Sequence, residues 1–122
     1  MSTQQRSRLG DEIFALGPHV RYVAFGSGQD VDMRQRADIR DGSSSESDFF
    51  EELLVNPTLL ALARQRGELD CGGLRYLIVA YGSFNVVVMP LNGGHVSVGL
   101  ALDADPAATA AQVAALVAER PR

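Results

Sequence analysis

The residues best suited to chemistry in this chain are two histidines and one cysteine. His19 precedes one strand-like run, His95 begins another, and Cys71 lies in a "DCGG" turn. Metal-binding and catalytic sites built from these residue types use paired motifs such as CxxC or HExxH, and none of the three lies in one. We therefore interpret both histidines as structural residues at strand ends and Cys71 as a turn residue, and we expect no metal and no cofactor.

Serine and aspartate patterns give no stronger catalytic signal. The "GSG" at 26–28 and the "GSF" at 82–84 lack the strand-to-helix context of a nucleophilic serine. "GSGQD" leads into a strand, whereas a phosphate-binding loop opens a helix. Asp103 and Asp105 could share acid–base work, but Asp105 before Pro106 is explained as a helix cap. These patterns predict a protein that is not an enzyme.

Three arginines, Arg34, Arg36 and Arg40, form the densest basic group. Alternation places them on one strand face, and four aspartates surround them, at positions 30, 32, 38 and 41. The chain has a net charge of -4 and no aromatic residues interleaved with this group, so nucleic acid is not an expected partner. We interpret the segment as a charged, solvated edge strand.

Length and composition indicate one globular domain. The 122 residues suffice for a single core, so we expect one domain over 1–122 with a flexible N-terminus at 1–8. The longest apolar runs are about half of the roughly 18–20 residues that a membrane helix needs, and the polar start lacks a signal-peptide pattern. We expect a soluble, cytoplasmic protein without membrane insertion. All eleven basic residues are arginine, which fits a GC-rich bacterial genome.

The first half of the chain predicts a helix, a hairpin and a middle helical region. Apolar residues at helical spacing run from Leu9 to Leu16 and stop before Gly17. Two strand-like runs then flank "GSGQD". In "FFEELL" the apolar residues share one helical face, but Asn56-Pro57 interrupts the pattern. Residues 46–67 therefore form either two helices or one kinked helix, with Gly67 as the end.

The second half, "LRYLIVAYGSFNVVVMPLNGGHVSVGLAL" at 74–102, predicts three strands joined near "GSFN" and at Asn92-Gly93. The last strand has larger apolar residues on one face and His95, Ser97 and Gly99 on the other. That second face leaves room for a helix to approach closely or for a ligand. An alanine-rich helix follows Asp105. Strands joined by short hairpins indicate an α+β class in the order α-β-β-α-β-β-β-α.

This order, carried by "VRYVAFG" to "VDMRQRADI", by "FFEELL" onward, by the three-strand meander and by "DPAATAAQVAALV", resembles the roadblock/LC7 superfamily. The resemblance implies a five-stranded antiparallel sheet with the terminal helices on one face and the middle helix on the other. It also implies dimers formed by pairing the third strand and the middle helix, and a role as scaffold or regulator of small GTPases or motor complexes. The chain departs from the pattern at Asn56-Pro57, where the family usually has one continuous helix.

The strand at 74–82 carries Arg75 as its only charged residue and is expected at a sheet edge, where unpaired backbone groups invite another strand. The hypothesis is a noncatalytic regulatory or scaffolding homodimer with a Ras-like GTPase as candidate partner. Its predicted interface consists of Leu74, Tyr76, Ile78, Ala80, Tyr81, Phe49, Phe50 and Leu53. The alternative is a small-molecule sensor whose pocket against the sheet uses Tyr81, His95, Ser97 and Gly99.

Overall fold

The computed structural model describes residues 1–36 and 49–119. Its first elements are α1 (Thr3–Phe14), β1 (Val20–Ser27) and β2 (Asp30–Gln35). A π-helical turn (Glu51–Val55) continues directly as α2 (Asn56–Asp70), and β3 (Leu77–Ala80), β4 (Asn85–Leu91), β5 (Gly94–Leu100) and α3 (Pro106–Ala118) follow. The predicted α+β class and order of elements are confirmed.

The five strands form one antiparallel sheet in the order β2-β1-β5-β4-β3. The first hairpin and the later meander meet where β1 pairs with β5. The two edges are therefore the charged strand β2 and the apolar strand β3, as the sequence predicted.

Helices cover both faces of the sheet, which explains why its central strands are apolar on both sides. On one face α1 and α3 pack against the sheet through Leu9, Ile13 and Val113. On the other face α2 packs through Leu60 against Val86 and Val88. None of the helices within 1–36 and 49–119 has the length and apolar character that crossing a bilayer requires.

Helix α1 begins at Thr3, so most of the segment 1–8 that was predicted to be flexible is helical. The reason is a capping box: Ser2 Oγ accepts the Gln5 N–H at 3.1 Å, and Gln5 Oε1 accepts the Ser2 N–H at 2.7 Å. Two donors that a helix start leaves without partners are thereby satisfied.

Two arginines of the β2 segment hold α1 in place. Arg34 Nη2 donates to Asp11 Oδ1 at 2.8 Å. Arg36 donates to the carbonyl oxygen of Phe14, the last residue of α1, and to that of Gly17 in the turn that follows, at 3.0 and 2.8 Å. Arg34 is exposed, as predicted for a solvated edge strand, whereas Arg36 is half-buried, and both side chains also bind their own chain. Arg40 lies outside the described residues.

The middle helical region is one continuous helix that includes the π-helical turn. Pro57 has no N–H and its ring disfavours a regular α-helix on its N-terminal side. The wider turn accommodates it, with the Asn56 N–H donating to the Glu51 carbonyl. The helix also passes the predicted end at Gly67 and stops at Asp70. Gly67 is buried within the helix and packs closely against Gly73. A Cβ at this position would lie 2.9 Å from the Gly73 carbonyl carbon.

Strand β3 is shorter than the predicted run of 74–82. Leu74 and Tyr76 precede it and are half-buried. Leu74 packs on the α2 side of the sheet and Tyr76 on the side of α1 and α3. Only Leu77–Ala80 pairs with β4.

Candidate interface at the β3 edge

The outer edge of β3 presents backbone groups that could pair with another strand. The Tyr81 N–H donates to the Phe84 carbonyl across the β3–β4 hairpin at 2.9 Å. Residues of an antiparallel ladder turn their backbone groups alternately toward and away from the neighbouring strand. Since Tyr81 faces β4, the backbone groups of Ile78 and Ala80 face away from it. These two residues form a template at the open edge.

The side chains of β3 alternate between the two faces of the sheet. Leu77 and Val79 are half-buried against the α2 layer. Ile78 and Ala80 point to the opposite face and are exposed, Ile78 to 37%. A partner strand at this edge would therefore meet an apolar residue on both faces.

Helix α2 carries three exposed leucines on one side. Leu59, Leu62 and Leu69 are 36%, 63% and 79% exposed, and their spacing of three and seven residues places them along one helical face. We call Leu59, Leu62 and Leu69 the leucine stripe. Arg66 occupies the intervening turn of this face and pairs with Asp70.

The helix that carries the leucine stripe contacts the segments at both ends of β3. At the start of the helix the Tyr81 hydroxyl donates to Glu51 Oε1 and Oε2, at 2.8 and 3.0 Å. At the other end Gly67 packs against Gly73, shortly before β3. The helix is therefore tied to both ends of β3.

Tyr81 is the residue that joins the edge strand to the helix. Its ring lies 5.2 Å from that of Phe84, centroid to centroid. Burial, followed by the hydrogen bond and the charge of Glu51, raises the pKa of Tyr81 from 10.0 to about 12. The contact thus holds the phenol in its protonated, donating form.

Beneath the start of this helix lies a buried polar network. The Glu52 carboxylate accepts from Asn56 Nδ2 at 2.8 Å and from the Tyr22 hydroxyl at 3.4 Å, through Oε1. His95 Nε2 lies 2.9 Å from Glu52 Oε2, and Asn56 Nδ2 also contacts Ser97 Oγ at 3.1 Å. The network fastens the π-helical turn to β1 and β5, so it positions the face that carries the interface.

Sequence reasoning missed Glu52, Asn56 and Tyr22 as members of this network. Their signal was present: Glu52 and Asn56 are four residues apart and share a helical face. The last strand offers His95 and Ser97 on the face that α2 covers. A carboxylate on the buried face of a helix requires partners from the sheet.

The network occupies the space predicted for a ligand. His95 and Ser97 are buried and bonded to the helix, and the ring of Tyr22 covers Gly99 so closely that a Cβ there would collide with it. Tyr81 is not part of this cluster. His95, Ser97 and Gly99 therefore lie in a filled helix–sheet contact, and His95 also borders a groove at the end of the sheet.

The other residues that the sequence singled out for chemistry are dispersed across the fold. His19 lies near Ala101 and His95 near Gly26, at opposite ends of the β1–β5 pair. Asp105 caps α3, as predicted, by accepting the Ala107 and Ala108 N–H groups. Within the described part of the chain, no three His, Cys, Asp or Glu side chains are grouped so that they could hold a metal ion.

The three predicted interface residues at the helix start occupy a separate position. Phe49 and Phe50 are 44% and 56% exposed, and Leu53 is half-buried. Phe49 and Leu53 are each two residues from Glu51, which turns them away from the side on which Glu51 meets Tyr81. Ile78, Ala80 and Tyr81 are brought together at the β3 edge, whereas Phe49 and Leu53 are turned away from it.

An antiparallel sheet in the order β2-β1-β5-β4-β3, with two terminal helices on one face and one middle helix on the other, defines the architecture of this domain. Solved structures with the same fold include a roadblock/LC7 domain from Streptomyces avermitilis. It is 21% identical, with a TM-score of 0.68 over 92% of this chain and 91% of that one. The predicted resemblance is thereby confirmed at the level of fold: the chain has a roadblock/LC7-like fold.

Two further structures support the same assignment. The gliding protein MglB from Thermus thermophilus is 10% identical, with a TM-score of 0.66 over 95% of this chain and 87% of that one. An MglB in a tetrameric arrangement is 11% identical, with a TM-score of 0.62 over 95% of this chain and 90% of that one. No protein-family model matches the sequence, and no curated protein does.

Proposed function

We propose that this protein is a noncatalytic regulatory or scaffolding protein that acts as a homodimer and has a Ras-like small GTPase as its partner. The observation that carries the proposal is the pairing of an open, apolar β3 edge with the leucine stripe beside it. A contiguous exposed apolar surface commonly marks a site of protein association. The tetrameric arrangement of a structurally similar MglB adds support for self-association.

The alternation of backbone groups favours one register for the dimer. If two β3 strands pair antiparallel about a two-fold axis at Val79, Ile78 of each copy lies opposite Ala80 of the other. Each such pair exchanges two hydrogen bonds. The two sheets then join into one, and both copies of the interface use the same patch, as a two-fold axis requires.

This arrangement also covers the leucine stripe. A two-fold axis perpendicular to the joined sheet leaves both α2 helices on the same face, each beside its own β3. The two stripes then face each other across the joined edge. Fully burying a leucine side chain contributes roughly 1.5–3 kcal/mol, so the stripe adds apolar area that a four-residue strand lacks.

We propose a noncatalytic protein because the residues best suited to catalysis have structural roles. His95 and Glu52 hold the helix to the sheet, and Asp105 caps α3. The GTPase in the proposal rests on the resemblance to roadblock/LC7 proteins, because a fold alone does not select a partner.

The test of the dimer is solution mass by light scattering across a dilution series. The informative variant is Ala80→Pro, since proline removes an N–H that faces the open edge and is tolerated on edge strands. We expect a native dimer, a folded Ala80→Pro monomer and an unchanged dimer for the control Leu102→Arg, which alters an exposed leucine outside β3 and α2. Ile78→Arg provides a second interface variant. A native chain that is monomeric at every concentration would contradict the dimer.

The test of the partner is binding to purified Ras-like GTPases, each loaded with GDP or with a non-hydrolysable GTP analogue. We expect one nucleotide state to bind the native dimer more tightly than the other. Absence of binding to any of them in both states would remove the GTPase from the proposal and leave the dimer intact.

A further inference from the structure

A groove of about 590 Å³ lies at the end of the sheet formed by the turns of the two hairpins. It is lined by both hairpin turns, the start of α1, the end of α3 and one residue of α2. We call it the hairpin groove, after the lining residues Arg6, Ser27, Arg64, Leu91, Gly93 and Val117. Its volume is in the usual range of small-molecule sites, roughly 300–1,000 Å³.

The charges of the hairpin groove are of one sign. Arg6 and Arg64 line it, and among the described residues no aspartate or glutamate does. The whole chain has a net charge of -4, so this positive lining is a local feature. Guanidinium groups present a planar fork of donors that matches carboxylate and phosphate groups.

Both arginines have unused hydrogen-bonding capacity. Arg6 Nη2 contacts Thr3 Oγ1 at 3.5 Å, the limit of a hydrogen bond, and its buried Nε has no partner in the described structure. Arg64 Nη2 lies 4.0 Å from Glu68 Oε1 on the helix surface. By contrast, the guanidinium groups of Arg34 and Arg36 donate hydrogen bonds to α1 and to the turn that follows it. A buried donor without a partner is uncommon and calls for an explanation.

The two hairpin turns of the groove are tied together, and part of the lining is apolar. Ser27 Oγ donates to the Gly93 carbonyl at 2.9 Å and ties the two hairpin turns together. Gly94 approaches the Gly26 carbonyl so closely that a Cβ would not fit. Leu91 and Val117 add apolar wall. A preformed site with apolar walls and few polar groups is typical of small-molecule recognition.

We propose that the hairpin groove binds a small organic anion. Arg6 and Arg64 hold its phosphate or carboxylate group, and Leu91 and Val117 contact its apolar body. The site lies away from the β3 edge and is independent of the proposed dimer.

The experiment is an amide NMR titration of the native protein with phenyl phosphate, benzoate and uncharged phenol. We expect saturable shifts of the Ser27, Gly93 and Gly94 amides with at least one of the two anions and none with phenol. The preferred anion identifies the phosphate or carboxylate group. Rising sodium chloride weakens the binding because it screens the arginines.

Matched variants distinguish binding of the anion in the hairpin groove from nonspecific attraction of the anion to any arginine. Arg6→Gln and Arg64→Gln should each raise the Kd at least about tenfold, the effect of losing roughly 1.4 kcal/mol of binding. Arg8→Gln and Arg66→Gln change exposed arginines of the same two helices and should leave the Kd unchanged. Well-dispersed spectra verify that each variant is folded. The proposal is overturned if no anion gives saturable shifts, if phenol gives the same shifts, or if Arg6→Gln and Arg64→Gln bind as the native protein does.

Discussion

At the scale of single residues, the pair of Glu52 and His95 decides how the middle helix is attached to the sheet. The side chain of His95 is 4% exposed and that of Glu52 is 0% exposed. Removing His95 leaves one oxygen of the buried Glu52 carboxyl group without that partner, at a cost of about 1–3 kcal/mol. Replacing both by apolar residues of similar volume costs much less. The pair therefore fixes the position of the middle helix on the sheet more than it adds to the net stability of the fold.

We therefore predict that His95→Leu lowers the unfolding free energy by about 1–3 kcal/mol, measured by urea denaturation. The double variant Glu52→Leu with His95→Leu should be more stable than His95→Leu alone. His19→Leu, at the opposite end of the sheet, is the control and should cost about 1 kcal/mol or less. Equal losses for His95→Leu and the double variant would mean that the two side chains do not act as a pair.

Tyr81 gives a prediction of pH dependence. Its pKa in the folded protein, about 12, is above its ordinary 10.0, so the folded state favours the protonated phenol. The contribution of Tyr81 to stability is complete below about pH 10 and is lost as the pH rises toward 12. We expect Glu51→Gln to lower the pKa of Tyr81, measured by NMR titration of its ring carbon, and to flatten this part of the stability curve. An unchanged titration in Glu51→Gln would show that Glu51 does not influence the phenol.

At the scale of elements, the packing of α2 against the segment before β3 includes one close approach. A Cβ at Gly67 would lie 2.9 Å from the Gly73 carbonyl carbon, whereas nothing lies within 4 Å of a Cβ at Gly82. We predict that Gly67→Ala lowers the unfolding free energy by about 1–3 kcal/mol, since overpacking outweighs the better helix propensity of alanine. Gly82→Ala should stay within about 0.5 kcal/mol of the native protein. Chemical denaturation of the two variants compares them, and equal stability would refute the packing argument.

The leucine stripe makes a prediction about helix–helix contact. Leu62→Glu places a charge in the middle of the proposed α2–α2 contact but on the surface of the monomer, where Leu62 is 63% exposed. We expect a folded monomer by light scattering and circular dichroism. Leu102→Glu should remain dimeric. A Leu62→Glu dimer would show that the strands associate without the stripe.

The sequence was sufficient to predict the elements and the charged edge at β2, because these follow from local patterns, whereas the edge position of β3 followed from the resemblance to the roadblock/LC7 superfamily. The alternation of residues in β2 predicted a charged strand, and the apolar run around β3 predicted an almost uncharged one. Residue type alone predicted the turn at Asn92-Gly93 and the helix cap at Asp105. The continuous helix was not predictable. Asn56-Pro57 has the composition of a helix start, and only the wider turn before it allows the helix to continue.

The buried network was missed for a different physical reason. A glutamate in "FFEELL" is ordinarily a surface residue, and its burial depends on His95 and Ser97, which are about forty residues away in sequence. Pairing of such distant groups is decided by how α2 crosses the sheet. For the same reason, the sequence suggested space for a ligand beside the small residues of β5. In the structure, the side chains of Tyr22 and Glu52 fill that space.

At the scale of the whole molecule, the two edges of the sheet have different capacities for association. The arginines at the β2 edge are bound to α1, and charged edge strands resist pairing. At the β3 edge, no strand within residues 1–36 and 49–119 pairs with the outward-facing Ile78 and Ala80. Pairing of β3 with β3 uses the same edge in both copies, so it closes after two chains and does not propagate into a fibre.

A dimer of this kind couples unfolding to dissociation. We therefore predict that the Tm rises with protein concentration, because a tenfold increase stabilises the associated state by about 1.4 kcal/mol, or roughly 2–4 °C for a pair of chains of this size. Calorimetry across a dilution series measures it. Ala80→Pro should have a lower Tm that is independent of concentration, whereas Leu102→Arg should behave as the native chain does. If the native Tm is also independent of concentration while light scattering shows a dimer, the monomer is stable by itself. The β3 edge then joins two completed folds, and the association can be reversed without unfolding.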